Sequence, residues 1–471
     1  MKFSFPDVYL DTSKLKSFKY EEFYHVVKLL DSSEDEFSYA DLKEYWEKHI
    51  SDIRCGLFSE LLNMYVHIPF CIQKCFACDY YSVPVRDESA INHYLNYLVS
   101  VLDFFKDTFK SVKIKNFYIG GGTPSILSSD QLHMILDKIY SNYSFHEIGE
   151  KTFEVNPHAI DEEKIRILKK FNINRISFGV QSTNPNLLKF HNRSYQSLGD
   201  VSNLVTLIEK YGFPMCNADL IFGLKGQSVQ DVLDSLKQLM EMGVQQITLY
   251  RINLSRPNSS QISRKLSNFA KNVLHYSQNL IDKYNYKLTS YSSFNDHAYS
   301  FFNNDKAEKM INLIDPKAFY DDNTIYPFSL FGIGPGIRCK IYSKLKYIFN
   351  RPEFSKKEID ESKFLEGKIN MRSYDKEFFE FSPNKKVASV NYVSELHILL
   401  DIISREFLTK PDVDLNLMKK YYGEHLNYKI IKISELLGYS PSNEKIKVGN
   451  SNEEKWHFLL LFVQKYLELN K

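Results

Sequence analysis

The chain has 471 residues, 43% of them apolar, with 60 basic against 58 acidic side chains and a formal net charge of +2. That apolar content excludes a disordered chain, and the length asks for two or three folding units. The charge balance excludes a nucleic-acid protein that works through bulk charge, while leaving room for a local basic patch.

The opening stretch, MKFSFPDVYLDTSKLK, places acidic residues where a secretory leader needs an apolar run. Near the far end, WHFLLLFVQKYL is much shorter than the roughly 20 residues that span a bilayer. The expectation is a soluble, cytoplasmic protein with no membrane span. Six cysteines over this length are too sparse for a disulfide framework, so a tight group of them reads as a metal or redox site.

Residues 1–60 read as a helical extension, with amphipathic patterns at KYEEFYHVVKLL (19–30) and YADLKEYWEKHI (39–50) around the acidic loop DSSEDE. From residue 64 a rhythm of short apolar runs and longer amphipathic stretches begins. The predicted strands are MYVHIPF (64–70), NFYIGGG (116–122), KTFEVNP (151–157), RISFGVQS (175–182), MCNADLIFGL (215–224) and QQITLYRINL (245–254). Helical patterns lie between them, for example QLHMILDKIY (131–140) and VLDSLKQLMEMG (232–243). Six strands alternating with helices predict a parallel α/β sheet with right-handed crossovers. Periodicity alone does not decide between an open and a curled sheet.

After residue 255 the rhythm breaks. A helix is predicted over 268–284 and a strand over 286–294, followed by a polar, irregular stretch to 330. FGIGPGIR (331–338) marks a turn, and a Lys-rich segment then leads into helical patterns at 394–408 and 415–423. Three units are expected: an extension (1–60), a core with its following segment (61–338) and a mostly helical C-terminal unit (339–471).

The stretch YVHIPFCIQKCFACDYYS holds Cys71, Cys75 and Cys78 just after the first predicted strand. Three buried core thiols are one reading, but spacings of four and three residues speak against it. A structural zinc site takes four N or S ligands, and no second Cys or His pair follows at finger spacing. An electron-carrying iron–sulfur site also takes four thiolates. Downstream of the group, the distant candidates are Cys216, which reads as core, and Cys339. Three thiolates on a four-iron cluster leave one iron open for another ligand.

Cys71-x-x-x-Cys75-x-x-Cys78 resembles the cluster motif of radical S-adenosylmethionine (SAM) enzymes. Together with YVHIPFC, GGGTPS (120–125), EVNP (154–157), SFGVQS (177–182) and DLIFGL (219–224), it resembles the oxygen-independent coproporphyrinogen III oxidase group, including its haem chaperone branch and methyl-transferring relatives. The likeness covers roughly residues 64–338. It implies a partial (β/α)6 barrel with its site at the C-terminal strand ends, where the motifs fall. It also implies a [4Fe-4S] cluster on Cys71, Cys75 and Cys78, whose open iron chelates SAM, and an electron donor such as a flavodoxin or ferredoxin. One SAM is implied, or two in the methyl-transferring relatives.

The resemblance carries SAM contacts over to Tyr65, Gly121, Gly122, Thr123, Glu154, Gln181, Arg193 and Asp219. The residue types suit this. Glycines admit close backbone approach, an arginine fork matches a carboxylate, and an acid inside an apolar strand needs a partner. His67 reads as a satisfied core imidazole. Three departures stand out. Tyr80 sits where the oxidases resemble a fourth cysteine, the haem-chaperone signature HNxxYW is missing between the barrel and FGIGPGIR, and Lys225 replaces a common proline. Three readings follow: a radical enzyme on a small organic substrate, including methyl transfer or cyclopropanation; a porphyrin oxidoreductase; and a haem carrier. The aromatic-rich stretch 319–332, with Tyr326 and Phe328, is a candidate lining of the barrel mouth.

Overall fold

The structure is a computed structural model. It describes residues 35–54, 61–252 (apart from 77, 79, 85 and 86), 260–292, 297–304, 328–352 (apart from 343), 374–392 and 412–447 (apart from 443), with isolated positions at 399 and in 458–469. The predicted helix over 19–30, the helical pattern over 394–408, and the mouth-lining side chains of Tyr326 and Phe328 lie outside the described residues.

In chain order the elements are β1 (Asp35–Ser38), α1 (Tyr39–Arg54), β2 (Leu61–Ile68), α2 (Glu88–Phe109), β3 (Asn116–Gly121), α3 (Ser129–Asn142) and β4 (Lys151–Val155). There follow α4 (Glu162–Lys170), β5 (Arg175–Gln181), α5 (Leu198–Lys210), β6 (Met215–Phe222), α6 (Val229–Glu241), β7 (Gln246–Arg251) and α7 (Ser260–Lys283). The chain continues through β8 (Tyr286–Ser292), β9 (His297–Asn303), β10 (Phe328–Ile333), β11 (Arg338–Ile341), β12 (Leu345–Phe349), β13 (Lys386–Tyr392) and α8 (Leu415–Leu436).

These 13 strands form one sheet in the order β1-β13-β12-β11-β10-β2-β3-β4-β5-β6-β7-β9-β8. Its centre is the six predicted strands, β2 to β7, parallel and in chain order. That is the expected partial (β/α)6 barrel. β2 and β7 pair with β10 and β9 and not with each other, so the sheet order is open.

Alternation along each central strand separates two environments. Cys216, Ala218, Leu220 and Phe222 on β6 are buried and apolar, as are Phe117 and Ile119 on β3 and Phe153 and Val155 on β4. The alternate positions are polar: Asn217 and Asp219, Tyr118, Thr152 and Glu154, Ser177, Gln246 and Thr248. Helices cover the apolar side, and the other side is the polar interior. Several helices begin at side-chain caps in the loops that leave the strand ends. Ser128 with Gln131, Ser197 with Asp200 and Ser228 with Asp231 each form a reciprocal capping box.

Three regions differ from the sequence reading. β1 is a strand within the extension read as helical. β9 lies inside the stretch read as irregular and pairs antiparallel with both β7 and β8. β11 to β13 form where the Lys-rich segment was read as a lead-in to helices. Their buried residues recur every second position, as in Leu345, Tyr347 and Phe349, which is a strand period. α1 confirms the helix read over 39–50, and it packs against these late strands. Trp46 is fully buried and its indole N–H donates to the Tyr347 hydroxyl at 3.0 Å. β1 pairs antiparallel with β13, Asp35 opposite Val390.

Candidate active site

The cysteine loop starts at the C-terminal end of β2, where a two-residue strand, Phe70–Cys71, pairs with Val83–Pro84. Each of its three sulfurs accepts a hydrogen bond from a different place. The Thr123 hydroxyl donates to Cys71 Sγ at 3.6 Å, Arg193 Nη1 to Cys75 Sγ at 3.5 Å, and Lys74 Nζ to Cys78 Sγ at 3.5 Å. Lys74 also donates to the Tyr80 carbonyl and, at 2.8 Å, to Ser82 Oγ. Asn192 Nδ2 donates to the Lys74 carbonyl at 2.9 Å, which ties the loop to the segment after β5. Burial pushes the Cys71 thiol up to about 11, with Thr123 working the other way.

The remaining two described cysteines lie elsewhere. Cys216 begins β6, at the end of the strands away from the loop, and is core as expected. Cys339 is buried on β11, opposite Tyr347. Among the described residues, no three His, Cys, Asp or Glu side chains converge on one metal ion. An iron–sulfur cluster asks for a different arrangement, one soft thiolate per iron, with N–H and O–H donors turned to the sulfurs. The three thiols and their three donors fit that group.

The glycine run is shaped by its neighbours. A Cβ on Gly120 would meet Glu154 Oε2 at 2.7 Å, one on Gly121 the His67 ring at 2.7 Å, and one on Gly122 the Phe70 carbonyl at 2.5 Å. Gly121 also has φ +122°, a conformation that favours glycine. The space kept open lets Gly121 N–H donate to Glu154 Oε2 at 3.0 Å, while the Tyr118 hydroxyl donates to Oε1 at 2.5 Å. Burial raises the Glu154 carboxyl above the ordinary range against these two donors. Tyr65 stacks on Tyr118 with centroids 5.5 Å apart. His67 is buried, and its Nε2 pairs with the Tyr81 carbonyl at 3.0 Å, the core role expected of it.

The next two strands complete the wall. Gln181 ends β5 with φ +67°, and the bare Cα of Gly179 makes room for its amide and for Arg193. Arg193 Nη2 donates to the Gly179 carbonyl at 2.7 Å and to Gln196 Oε1 at 2.9 Å, and its Nε donates to the same Gln196 oxygen at 3.1 Å. Asp219 sits opposite Gly179 in the register of β5 and β6, and accepts from Asn217 Nδ2 at 2.7 Å. Burial pushes its carboxyl up to about 7; Asn217 opposes this and the nearby Glu154 reinforces it.

Tyr65, Gly121, Glu154, Gln181, Arg193 and Asp219 thus belong to neighbouring strands and their C-terminal loops. Gly122 and Thr123 belong to the cysteine side, where the Thr123 hydroxyl faces a thiol. The sequence reading missed Lys74, Gly179, Gln196 and Asn217. Of these, Lys74 carried a signal as a cation four residues before Cys78, and Gly179 as part of SFGVQS.

Residues 65–239 match the model of the radical SAM superfamily. The chain carries a radical SAM domain over those residues. Within it the likeness is to the coproporphyrinogen oxidase-like group. This radical SAM chain is 33% identical over 202 residues to the haem chaperone HemW of Haemophilus influenzae, covering 42% of this chain and 52% of that protein. It is 26% identical over 190 residues to the oxygen-independent coproporphyrinogen III oxidase of Paracoccus denitrificans, covering 40% and 42%. The chain spans about half the length of the curated relatives it matches. The solved coproporphyrinogen III oxidase HemN of Escherichia coli shares the fold, with a TM-score of 0.62 at 17% identity over 90% of this chain and 93% of that one. The superfamily implies an iron–sulfur cluster and SAM, and among the described residues no helix is long and apolar enough to cross a membrane.

Proposed function

We propose that this chain is a SAM-dependent radical enzyme of the coproporphyrinogen oxidase-like group, acting on a small organic or tetrapyrrole substrate. The observation that carries the reading is the trio of thiols, each already facing a separate donor, at the rim of a polar barrel interior. When bound, the cluster and SAM supply a 5′-deoxyadenosyl radical through one-electron cleavage of the sulfonium.

The chain's own residues then have distinct tasks. Cys71, Cys75 and Cys78 would hold three irons as thiolates. Lys74, Arg193 and Thr123 place positive or partly positive hydrogens on those sulfurs and so lower the cost of gathering negative charge there. The open backbone at Gly121 and Gly122 admits the amino acid part of SAM, with Glu154 ready to accept from its ammonium. Arg193, anchored by Gln196 and Gly179, presents a fixed cation to the SAM carboxylate. Gln181, Tyr65 and Asp219 line the rest of the cofactor path. A flavodoxin or ferredoxin is the class of partner that delivers the electron.

A second reading, a haem carrier, is favoured by the likeness to haem chaperones and by Tyr80, 71% exposed at the position where the oxidases resemble a fourth cysteine. One anaerobic experiment separates the two. The protein is reconstituted with iron and sulfide, reduced, given SAM and candidate porphyrins or small organic acceptors, and followed by mass spectrometry, with Cys75→Ala as control. Release of 5′-deoxyadenosine only with Cys75 intact supports the enzyme, and S-adenosylhomocysteine beside it identifies methyl transfer from a second SAM. Stoichiometric haem uptake with no SAM cleavage under any substrate overturns the enzyme reading in favour of the carrier.

A further inference from the structure

The barrel interior below Asp219 is polar, buried and ordered in one direction. At its floor Arg175, 2% exposed, donates from Nη1 to Glu150 Oε1 at 3.0 Å and from Nη2 to Gln246 Oε1 at 2.9 Å. A guanidinium has donors and no acceptor, so this contact fixes which end of the Gln246 amide faces it. Gln246 Nε2 therefore points onward and donates to Thr248 Oγ1 at 3.4 Å. Having accepted there, the Thr248 hydroxyl donates to Asn217 Oδ1 at 2.7 Å. Asn217 is then left with two N–H bonds, and both are used: one to Ser177 Oγ at 3.0 Å, the other to Asp219 Oδ1 at 2.7 Å.

The strand register makes this path possible. Asn217 lies opposite Gln246 and Asp219 opposite Thr248, so two adjacent parallel strands supply alternate rungs on the same interior face. Gln246, Thr248 and Asn217 are 7%, 5% and 2% exposed, so water does not compete for the links. Hydrogen bonds aligned head to tail polarise one another, and low local dielectric strengthens the effect. Apolar residues would fill the same space without this polarity; the arrangement keeps one carboxylate oxygen of Asp219 under a fixed N–H.

We propose that Arg175, Gln246, Thr248 and Asn217 are positioning residues that hold the Asp219 carboxylate in one orientation for the bound cofactor, a one-way chain running from the barrel floor to its mouth. The idea rests on the reading of Asp219 as a SAM contact. Thr248 is the best link to cut, because valine has nearly its shape and lacks the hydroxyl.

The test measures SAM affinity by anaerobic equilibrium dialysis on the reconstituted protein for Thr248→Val, Thr248→Ser, Asp219→Asn and the Thr248→Val/Asp219→Asn double variant, with unfolding midpoints alongside. The expected result is about tenfold weaker binding for Thr248→Val, near-parent binding for Thr248→Ser, and no further loss from Thr248→Val once Asp219 is Asn. An isotope-edited infrared band of the aspartate carboxylates, identified by its loss in Asp219→Asn, is expected to shift in Thr248→Val and return in Thr248→Ser. Equal losses from Thr248→Val in both backgrounds, or an unmoved infrared band, overturn the proposal and leave the chain as packing alone. If Asp219→Asn binds SAM like the parent, the cofactor reading of Asp219 fails, and the infrared band still decides whether the chain orients it. Should Thr248→Val not fold, Gln246→Met cuts the chain one link earlier and takes its place.

Discussion

Asp219→Asn has an effect on stability whose size and sign follow from the site. Burial raises this carboxyl from the ordinary aspartate value to about 7 in the folded chain. The unfolded chain ionises near 3.9, so between about pH 4 and pH 7 the unfolded state has lost a proton that the native state keeps. Folding stability therefore falls with rising pH through this window, and the part contributed by the protonated native carboxyl is gone above the folded value. A carboxyl raised from about 4 to about 7 carries about 4 kcal/mol in total, of which about 3 kcal/mol develops between pH 5 and pH 8. Asp219 is half-buried, so solvent screening reduces the measurable part to about 2 kcal/mol. Asparagine does not titrate and keeps the carbonyl oxygen facing Asn217. Anaerobic urea unfolding of both proteins from pH 5 to pH 8 is the assay. The stability of Asp219→Asn relative to the parent is expected to rise by about 2 kcal/mol across that range. A difference that stays flat with pH, or that falls, refutes the raised carboxyl at Asp219.

Three further outcomes are expected. Gly121→Ala places a Cβ 2.7 Å from the His67 ring at φ +122°, and is expected to cost about 2–4 kcal/mol in urea unfolding. Arg175→Met strands Glu150, 1% exposed, and is expected to cost about 3–5 kcal/mol, much of it recovered in the double variant with Glu150→Gln. Lys74→Met removes the ammonium that faces Cys78 Sγ at 3.5 Å, so the reconstituted cluster is expected to become harder to reduce, with a more negative potential in an anaerobic redox titration followed by electron paramagnetic resonance.

The central six strands were legible because each pairs an apolar outward face with glycine or polar punctuation at its end, and a capped helix follows the first five. Their observed bounds fall within a few residues of the reading; the first strand begins at Leu61 instead of residue 64. β9 was hidden because HAYSFFN is embedded in Asn- and Asp-rich sequence, and it forms only because β7 and β8 are there to pair with it. In β11 and β12, Lys340 and Lys346 alternate with the buried positions and make a strand look like a charged linker. The cysteines, glycines and strand acids were legible through motif and likeness. Gln196, Asn217 and Thr248 were not, since an isolated amide or hydroxyl acquires meaning only from a partner. For Thr248 that partner, Asn217, lies on the neighbouring strand.

The pairing of β1 with β13 also has a consequence for synthesis. Asp35 meets Val390, and Trp46 packs its indole against Tyr347, so early residues wait for late ones. At about 5–20 residues per second a ribosome takes roughly 20–70 s to cross that interval. Throughout it, the Tyr39, Leu42 and Trp46 face of α1 lacks the late strands that cover it. Such long-range closure folds slowly and exposes apolar surface meanwhile. A nascent chain halted before residue 386 would thus carry a sticky helix at its front, a natural client for chaperones and a point of failure for a C-terminal truncation that removes β13.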